Sequence, residues 1–231
     1  MALELERALG YEFKNKELLT QALTHKSYAN ERQTPDNERL EFLGDTILAL
    51  SISDYLMERF PQMSEGMLSK FRAVLVSEAG LSRVARNLKL GSFILIGKGE
   101  HSTGGREKSS ILSNVMEALF AAVYLDSVDS KAKGLQAAAK VIIGLFDGFI
   151  AESENSFAYD DVKTDLQEWI QKRNLGSIEY KVVEEFGPDH DKTFVIALLL
   201  DGGERGRGEG KNKKAAEQQA AYQALESLKN I

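Results

Sequence analysis

The segment NERLEFLGD, residues 37–45, crowds Glu38, Glu41 and Asp45 at spacings of three and four. On a helix those intervals bring side chains to one side. At about 100° per residue, the three carboxylates fall within a sector of ~60°. Leu40, Leu43, Ile47 and Leu50 project about 120–200° from Glu38, which predicts a core side opposite an acidic side. Two uses fit such an acidic side. It is a solvated charged face, or it is a set of oxygen ligands for a hard cation. Repulsion between like charges at this spacing costs only a few tenths of a kcal/mol, roughly, per pair. The helix by itself therefore leaves both uses open. Phe42 projects beside the carboxylates, either as an ordinary exposed aromatic or as a contact for a ligand or subunit.

A second segment narrows the choice. In SILSNVMEALFAAVYLD, residues 115–125 are apolar on every side except at Glu117. A helix apolar all round is buried, and an ionised carboxylate inside it needs a partner. Asn114 lies three residues earlier and faces the same way. The partner is a Lys or Arg, a hydrogen-bond network, or a cation shared with the first helix. The chain has no cysteine and three histidines. That excludes disulfides and thiolate zinc, and it turns any metal site toward oxygen ligands and Mg²⁺, with Mn²⁺ as a substitute.

These groups must be carried by helices. The first ~150 residues read as helical on apolar periodicity. Thr34 as cap and Pro35 in the first turn predict a helix start ahead of NERLEFLGDTILALSISDYLMERF, and Pro61 predicts its end. Further helices are expected over 64–76, 78–89, 109–126 and 131–150, with a polar, glycine-bearing loop over 97–110. The polar segment 152–160 reads as a linker between an all-α domain, 1–151, and a second domain, 161–231. The second domain opens on a helix, VKTDLQEWIQKR. Two strand-like runs follow, IEYKVVEE and KTFVIALLL, then the glycine-rich strand ERGRGEGK. A last helix has Ala216, Ala220, Leu225 and Leu228 near one side. The order α-β-β-β-α predicts a small α+β module with helices on one sheet face.

Net charge is −6, yet residues 205–214 hold five basic side chains against one acid. Lys211, Lys213 and Lys214 stand at a helix start, where the dipole and open N–H groups attract phosphate. The alternative is a solvated basic turn. Gly206, Gly208 and Gly210 are assigned to strand geometry rather than to a phosphate cradle. No apolar run approaches the length of a membrane span, and the N-terminus lacks the pattern of a leader. The expectation is a cytoplasmic protein with no membrane partner.

NERLEFLGD resembles the signature of the ribonuclease III endonuclease domain, and THKSYANE, SEGMLSKFRAVLV and STGGREKSSILSNVMEALFAAVYLD continue that resemblance in family order. KTDLQEW, GPDH and GRGEGKNKKAAEQQAA resemble a double-stranded RNA-binding domain. The resemblance covers nearly the whole chain. It implies a Mg²⁺-dependent homodimeric endonuclease that cuts double-stranded RNA, leaving 5′-phosphate, 3′-hydroxyl and a short 3′ overhang, with ribosomal and messenger RNA processing as its work. By position it implies metal ligation by Glu41, Asp45, Asn114 and Glu117. Asp45 and Glu117 would be the residues most tied to catalysis, and Glu38 and Glu65 acidic groups of the cleavage valley. Phe42 would plug into the partner subunit. Thr164, Gln167 and Glu168 would reach 2′-hydroxyls and base edges of the duplex, and His190 would enter the next minor groove.

One position departs from the family pattern. Asn114 stands where the family has aspartate. An amide carbonyl still ligates Mg²⁺ but brings no charge, which predicts weaker metal binding. A duplex-RNA-binding protein with weak or no cleavage is the alternative function.

Overall fold

The computed structural model describes residues 2–127, 130–188 and 191–229, the side chains of 2, 154–162, 164, 165 and 229 excepted. The chain divides into two units, 1–151 and 152–231.

The first unit is helical: α1 (Ala2–Leu9), α2 (Lys16–Ala22), α3 (Lys26–Arg32), α4 (Glu38–Arg59), α5 (Glu65–Val76), α6 (Glu78–Asn87), α7 (Lys98–Ser102), α8 (Ser109–Asp126) and the first part of α9 (Lys131–Arg173). Helix α8 is its centre. Ile111, Leu112, Val115, Met116 and every residue from Ala118 to Val123 are buried, as its all-round apolar sequence requires. At its C-terminal end Asp126, 1 % exposed, accepts hydrogen bonds from the Lys14 and Asn15 N–H groups and from the Tyr11 hydroxyl.

Four local expectations change. Helix α4 begins at Glu38, not near Pro35. The Asn37 N–H donates to the Thr24 carbonyl and its Nδ2 to the Ala22 carbonyl, at 3.0 and 3.2 Å. Those bonds tie Asn37 to the end of α2 and the residues after it, and the helix starts at Glu38, whose N–H donates to Asp36 Oδ1. The polar stretch 97–110 is not a loop throughout but carries α7 and a 3-10 turn, Gly105–Glu107. Residues 152–160 are helical, inside α9; they contain neither Gly nor Pro to break a helix. Lys131–Ser153 is, by length and composition, apolar enough to cross a membrane, contrary to the sequence expectation. Its buried residues Ala138, Ile142, Phe146 and Ile150 recur every four positions, with Val141 beside Ile142, the pattern of a helix with one face in a core.

The second unit holds the rest of α9, three strands and α10 (Lys213–Lys229). Strands β1 (Ile178–Phe186), β2 (Thr193–Leu200) and β3 (Gly203–Gly210) form one antiparallel sheet in the order β1-β2-β3. Ile178 and Tyr180 lie opposite Leu200 and Leu198. These four pack with Leu166 and Ile170 of α9 and with Ala220, Ala224, Leu225 and Leu228 of α10. The helices thus cover one sheet face, as the α-β-β-β-α pattern predicts. A Cβ on Gly206 would overlap the Ala220 carbonyl oxygen, and one on Gly208 the Ala216 carbonyl oxygen. These glycines bring β3 onto the backbone of α10.

Candidate active site and RNA-binding surface

Glu41 and Asp45 reach Glu117 because α4 and α8 touch at Gly44. A Cβ at Gly44 would overlap the carbonyl oxygen of Glu117. Any side chain there would push the helices apart and separate the carboxylates. Glycine inside a helix costs about 1 kcal/mol relative to alanine, so its presence in a buried helix interior signals a close approach. That signal stood in NERLEFLGD itself.

The contact also turns α4 from its expected orientation. Leu40, Gly44, Ile47, Leu48, Ser51, Ile52 and Leu56 are buried. The core face is rotated by about 90° from the projection of the leucines alone. Leu50, expected inside, is 52 % exposed, and it shares an open apolar strip with Phe42, 82 %, and Met57, 65 %.

Glu117 is half-buried. Loss of water around it, then the charges of Asp45 and Glu41, push its carboxyl up to about 7. Burial and the Glu38 charge also raise Glu41, against a hydrogen bond from Asn114 that lowers it. Asn114 therefore supplies the site with a donor to Glu41 as well as an amide oxygen, which accepts from Ser113 Oγ at 3.4 Å. Glu38 lies at the rim, 3.3 Å from the Lys26 ammonium. Glu65 is not among the charges acting on Glu117. It stands at the start of α5, accepts from Ser69 Oγ at 2.9 Å, and lines a separate cavity with Met57, Leu68 and Arg72.

The carboxylate chemistry fits a divalent cation. The partly buried Glu41 and Glu117 and the exposed Asp45 place three like charges near one another, and a cation reverses the sign of that interaction. Among the described residues, no three His, Asp or Glu side chains stand close enough together to hold a metal ion as they are placed. A cavity of about 290 Å³ opens beside Glu41 and Asn114 and is also lined by His25, Lys26, Glu100 and Lys108. Spacing within NERLEFLGD carried no sign of these last four, which come from α3, α7 and the turn before α8.

In the second unit, Gln167 and Glu168 are exposed on α9, and Glu168 pairs with Lys172 at 3.2 Å. The side chain of Thr164 and all of His190 lie outside the described residues. The basic patch is less open than its sequence predicts. Lys211 pairs with Asp191 at 2.7 Å, Lys213 lies 3.9 Å from Glu185, and Arg207 pairs with Glu204 at 2.9 Å. Lys214 makes its own interaction. Glu185 and Asp191 come from β1 and the β1–β2 connection, whose positions relative to 205–214 depend on the folded sheet, whereas Glu204 is three residues from Arg207 on β3 itself.

The profile of the family described as ribonuclease-III-like matches residues 15–143, and that of the double-stranded RNA binding motif matches 162–228. The first match spans more than half of the chain and contains the whole carboxylate cluster. The chain belongs to the ribonuclease III family. It is an endoribonuclease specific for double-stranded RNA. Ribonuclease 3 of Caldanaerobacter subterraneus subsp. tengcongensis is 50% identical over 97% of this chain and 96% of its own length. Ribonuclease 3 of Streptomyces coelicolor is 48% identical over 97% of this chain and 79% of its own length. Among solved structures, the nuclease domain of ribonuclease III from Campylobacter jejuni superposes with a TM-score of 0.57 at 43% identity. It covers 63% of this chain and 95% of that one, in work concerned with a region involved in dimer formation. The ribonuclease III match thus falls on the helical unit and the RNA-binding match on the sheet unit.

Proposed function

We propose that this ribonuclease III cuts both strands of duplex RNA as a cytoplasmic homodimer, with a divalent cation, Mg²⁺ or Mn²⁺, at each cleavage centre, and leaves 5′-phosphate and 3′-hydroxyl ends. The observation that carries this reading is the convergence of Glu41 and Asp45 on the half-buried Glu117 across the Gly44 contact. Glu41, Asp45 and Glu117 would hold the cation, with the Asn114 amide oxygen as a neutral fourth ligand. When bound, it activates water and neutralises charge on the scissile phosphate. The protein's own part is to hold these oxygens together and to keep them partly dry. At neutral pH Glu117 exchanges its proton readily, so proton and metal compete for the same oxygens. Gln167, Glu168 and the 205–214 region would read the duplex by shape, through 2′-hydroxyls and phosphates.

The strip of Phe42, Leu50 and Met57 supports pairing of two copies, because exposed apolar strips of this kind mark interaction sites. Substrates among ribosomal and messenger precursors follow from the family and belong to this proposal. The test is incubation of the protein with long duplex RNA, with Mg²⁺ and with chelator, followed by analysis of the product ends. Cleavage only with Mg²⁺ is expected. Asn114 favours a second reading, duplex binding with little cleavage, since the site has one charge fewer than an aspartate there would give. Binding without cleavage in both conditions would establish it instead.

A further inference from the structure

Beside the carboxylates, the cavity of about 290 Å³ carries basic groups on its other side: His25, Lys26 and Lys108. They are not equivalent. Lys26 lies 3.3 Å from Glu38, and both side chains are more than half exposed, so this pair is solvated and weak. His25 Nδ1 accepts the Ser27 N–H at 3.3 Å, which leaves its proton on Nε2. Burial favours the neutral ring. His25 thus brings a donor but no charge.

Lys108 differs from both. Its Nζ donates to Glu100 Oε1 at 2.6 Å and to Thr103 Oγ1 at 3.3 Å. An ammonium has three donors. Among the described residues no contact takes the third, and the side chain is 45% exposed. Glu100 and Thr103 have a second effect. A lysine stem is flexible, and an ammonium beside a carboxylate cluster will pair with the nearest acid. Without Glu100 the acids left lining the same cavity are Glu41 and Glu38, of which Glu38 already has Lys26 as its partner. Glu100 thus keeps a positive charge near the site and out of it.

We propose that Lys108, steered by Glu100, binds a backbone phosphate of the RNA adjoining the one that is cut, with Glu100 as a positioning residue. The inference rests on the nuclease reading above. It places an anion subsite at the junction of α7 and α8, next to the oxygens that hold the cation.

The experiment compares the full chain with Lys108→Gln, Lys108→Arg, Glu100→Gln and the Glu100→Gln/Lys108→Gln double variant. Duplex cleavage is followed across Mg²⁺ and salt concentrations, and duplex binding is followed in chelator. Lys108→Gln should raise KM by about five- to tenfold, leave kcat within about twofold, and lower the salt dependence of binding by about one ion. Lys108→Arg should restore KM. Glu100→Gln should raise the Mg²⁺ requirement by freeing Lys108 to pair with Glu41, and the double variant should remove that defect. Unchanged KM and salt dependence in Lys108→Gln would overturn the subsite. A Glu100→Gln defect that persists in the double variant would overturn the steering role. If the parent chain fails to cleave at all, the nuclease reading fails, and the chelator binding alone decides Lys108: a salt dependence lower by one ion upholds the phosphate contact, and an unchanged one removes it.

Discussion

In the helical unit one glycine, Gly44, brings α4 against the backbone of α8. In the sheet unit Gly206 and Gly208 bring β3 against the backbone of α10. The local physics is the same, since in each place a Cβ would overlap backbone. What lies beyond the contact differs. Past Gly44 stand the partly buried Glu41 and Glu117 and the exposed Asp45, whose charge acts on Glu117. Past the β3 glycines stand Ala216, Ala220 and Ala224, which are inert. The first contact costs electrostatic energy and concentrates chemistry. The second builds a platform whose outward surface carries paired charges such as Arg207–Glu204 and Lys211–Asp191. The catalytic centre thus announces itself by carboxyls pushed up through burial and mutual repulsion, whereas on the sheet unit the shift runs the other way, the Arg207 guanidinium holding the Glu204 carboxyl down.

Substitutions test that contrast. The largest effect is expected for Gly44→Ala. The added Cβ must displace the Glu117 backbone, at a cost of about 3 kcal/mol or more. Denaturant titration should show that loss, and cleavage should fall with it. If the variant keeps parental stability and activity, the close approach does not position the site.

Gly208→Ala should destabilise by a similar or smaller amount, about 2–3 kcal/mol. Its signature is different: weaker duplex binding, with the Glu117 titration left as in the parent. A changed Glu117 titration would break the division of labour between the units.

Glu117→Gln sharpens the electrostatic half of the comparison. The Glu117 carboxyl titrates near 4.5 when unfolded and is pushed up to about 7 when folded. Between those values the folded state binds a proton that the unfolded state has released. Stability of the metal-free protein should therefore fall as pH rises from about 4.5 to about 7, and level off above. Allowing for solvent screening of a half-exposed group, the fall is about 1–2 kcal/mol. Glu117→Gln should remove most of it in chelator, leaving the contribution of the raised Glu41, while cutting cleavage by at least about 10²-fold in saturating Mg²⁺. Parental cleavage by this variant would remove Glu117 from the site.

The smallest effect is expected for Asn114→Asp. It removes the donor to Glu41 and adds a charge. Metal-free stability should drop by up to about 1 kcal/mol, and the melting-temperature rise on adding Mg²⁺ should grow. A smaller rise than in the parent would show that the Asn114 donor is worth more to the site than the charge.

Much of this was legible beforehand. Helix periodicity put Glu38, Glu41 and Asp45 on one side, and the apolar surroundings of Glu117 demanded burial and a partner. The strand order and the strand use of the β3 glycines also read correctly, because period-two patterns and glycine runs are local. Three features were not legible. Leu50 reads as core and is exposed, because Gly44 rather than the leucines chooses the face of α4 that meets α8. The basic run at 205–214 reads as open, but Glu185 and Asp191, distant in the chain, pair with Lys213 and Lys211, and Glu204 just ahead of the run pairs with Arg207. The pairing of Lys108 with Glu100, and their place beside Glu41, joins segments that share no sequence period.

The sequence alone determined the main helices, the strand order, the acidic sector of α4 and the need to satisfy Glu117, since these follow from spacing and from the cost of burying charge, but not helix α7 or the continuation of α9 through 152–160. Tertiary structure alone decided which face of α4 is buried, how high the Glu117 carboxyl is driven, and which cations stand free to meet phosphate. Those properties depend on distances between segments far apart in the chain. Water exclusion and Coulomb interaction act through space, and no local spacing encodes them.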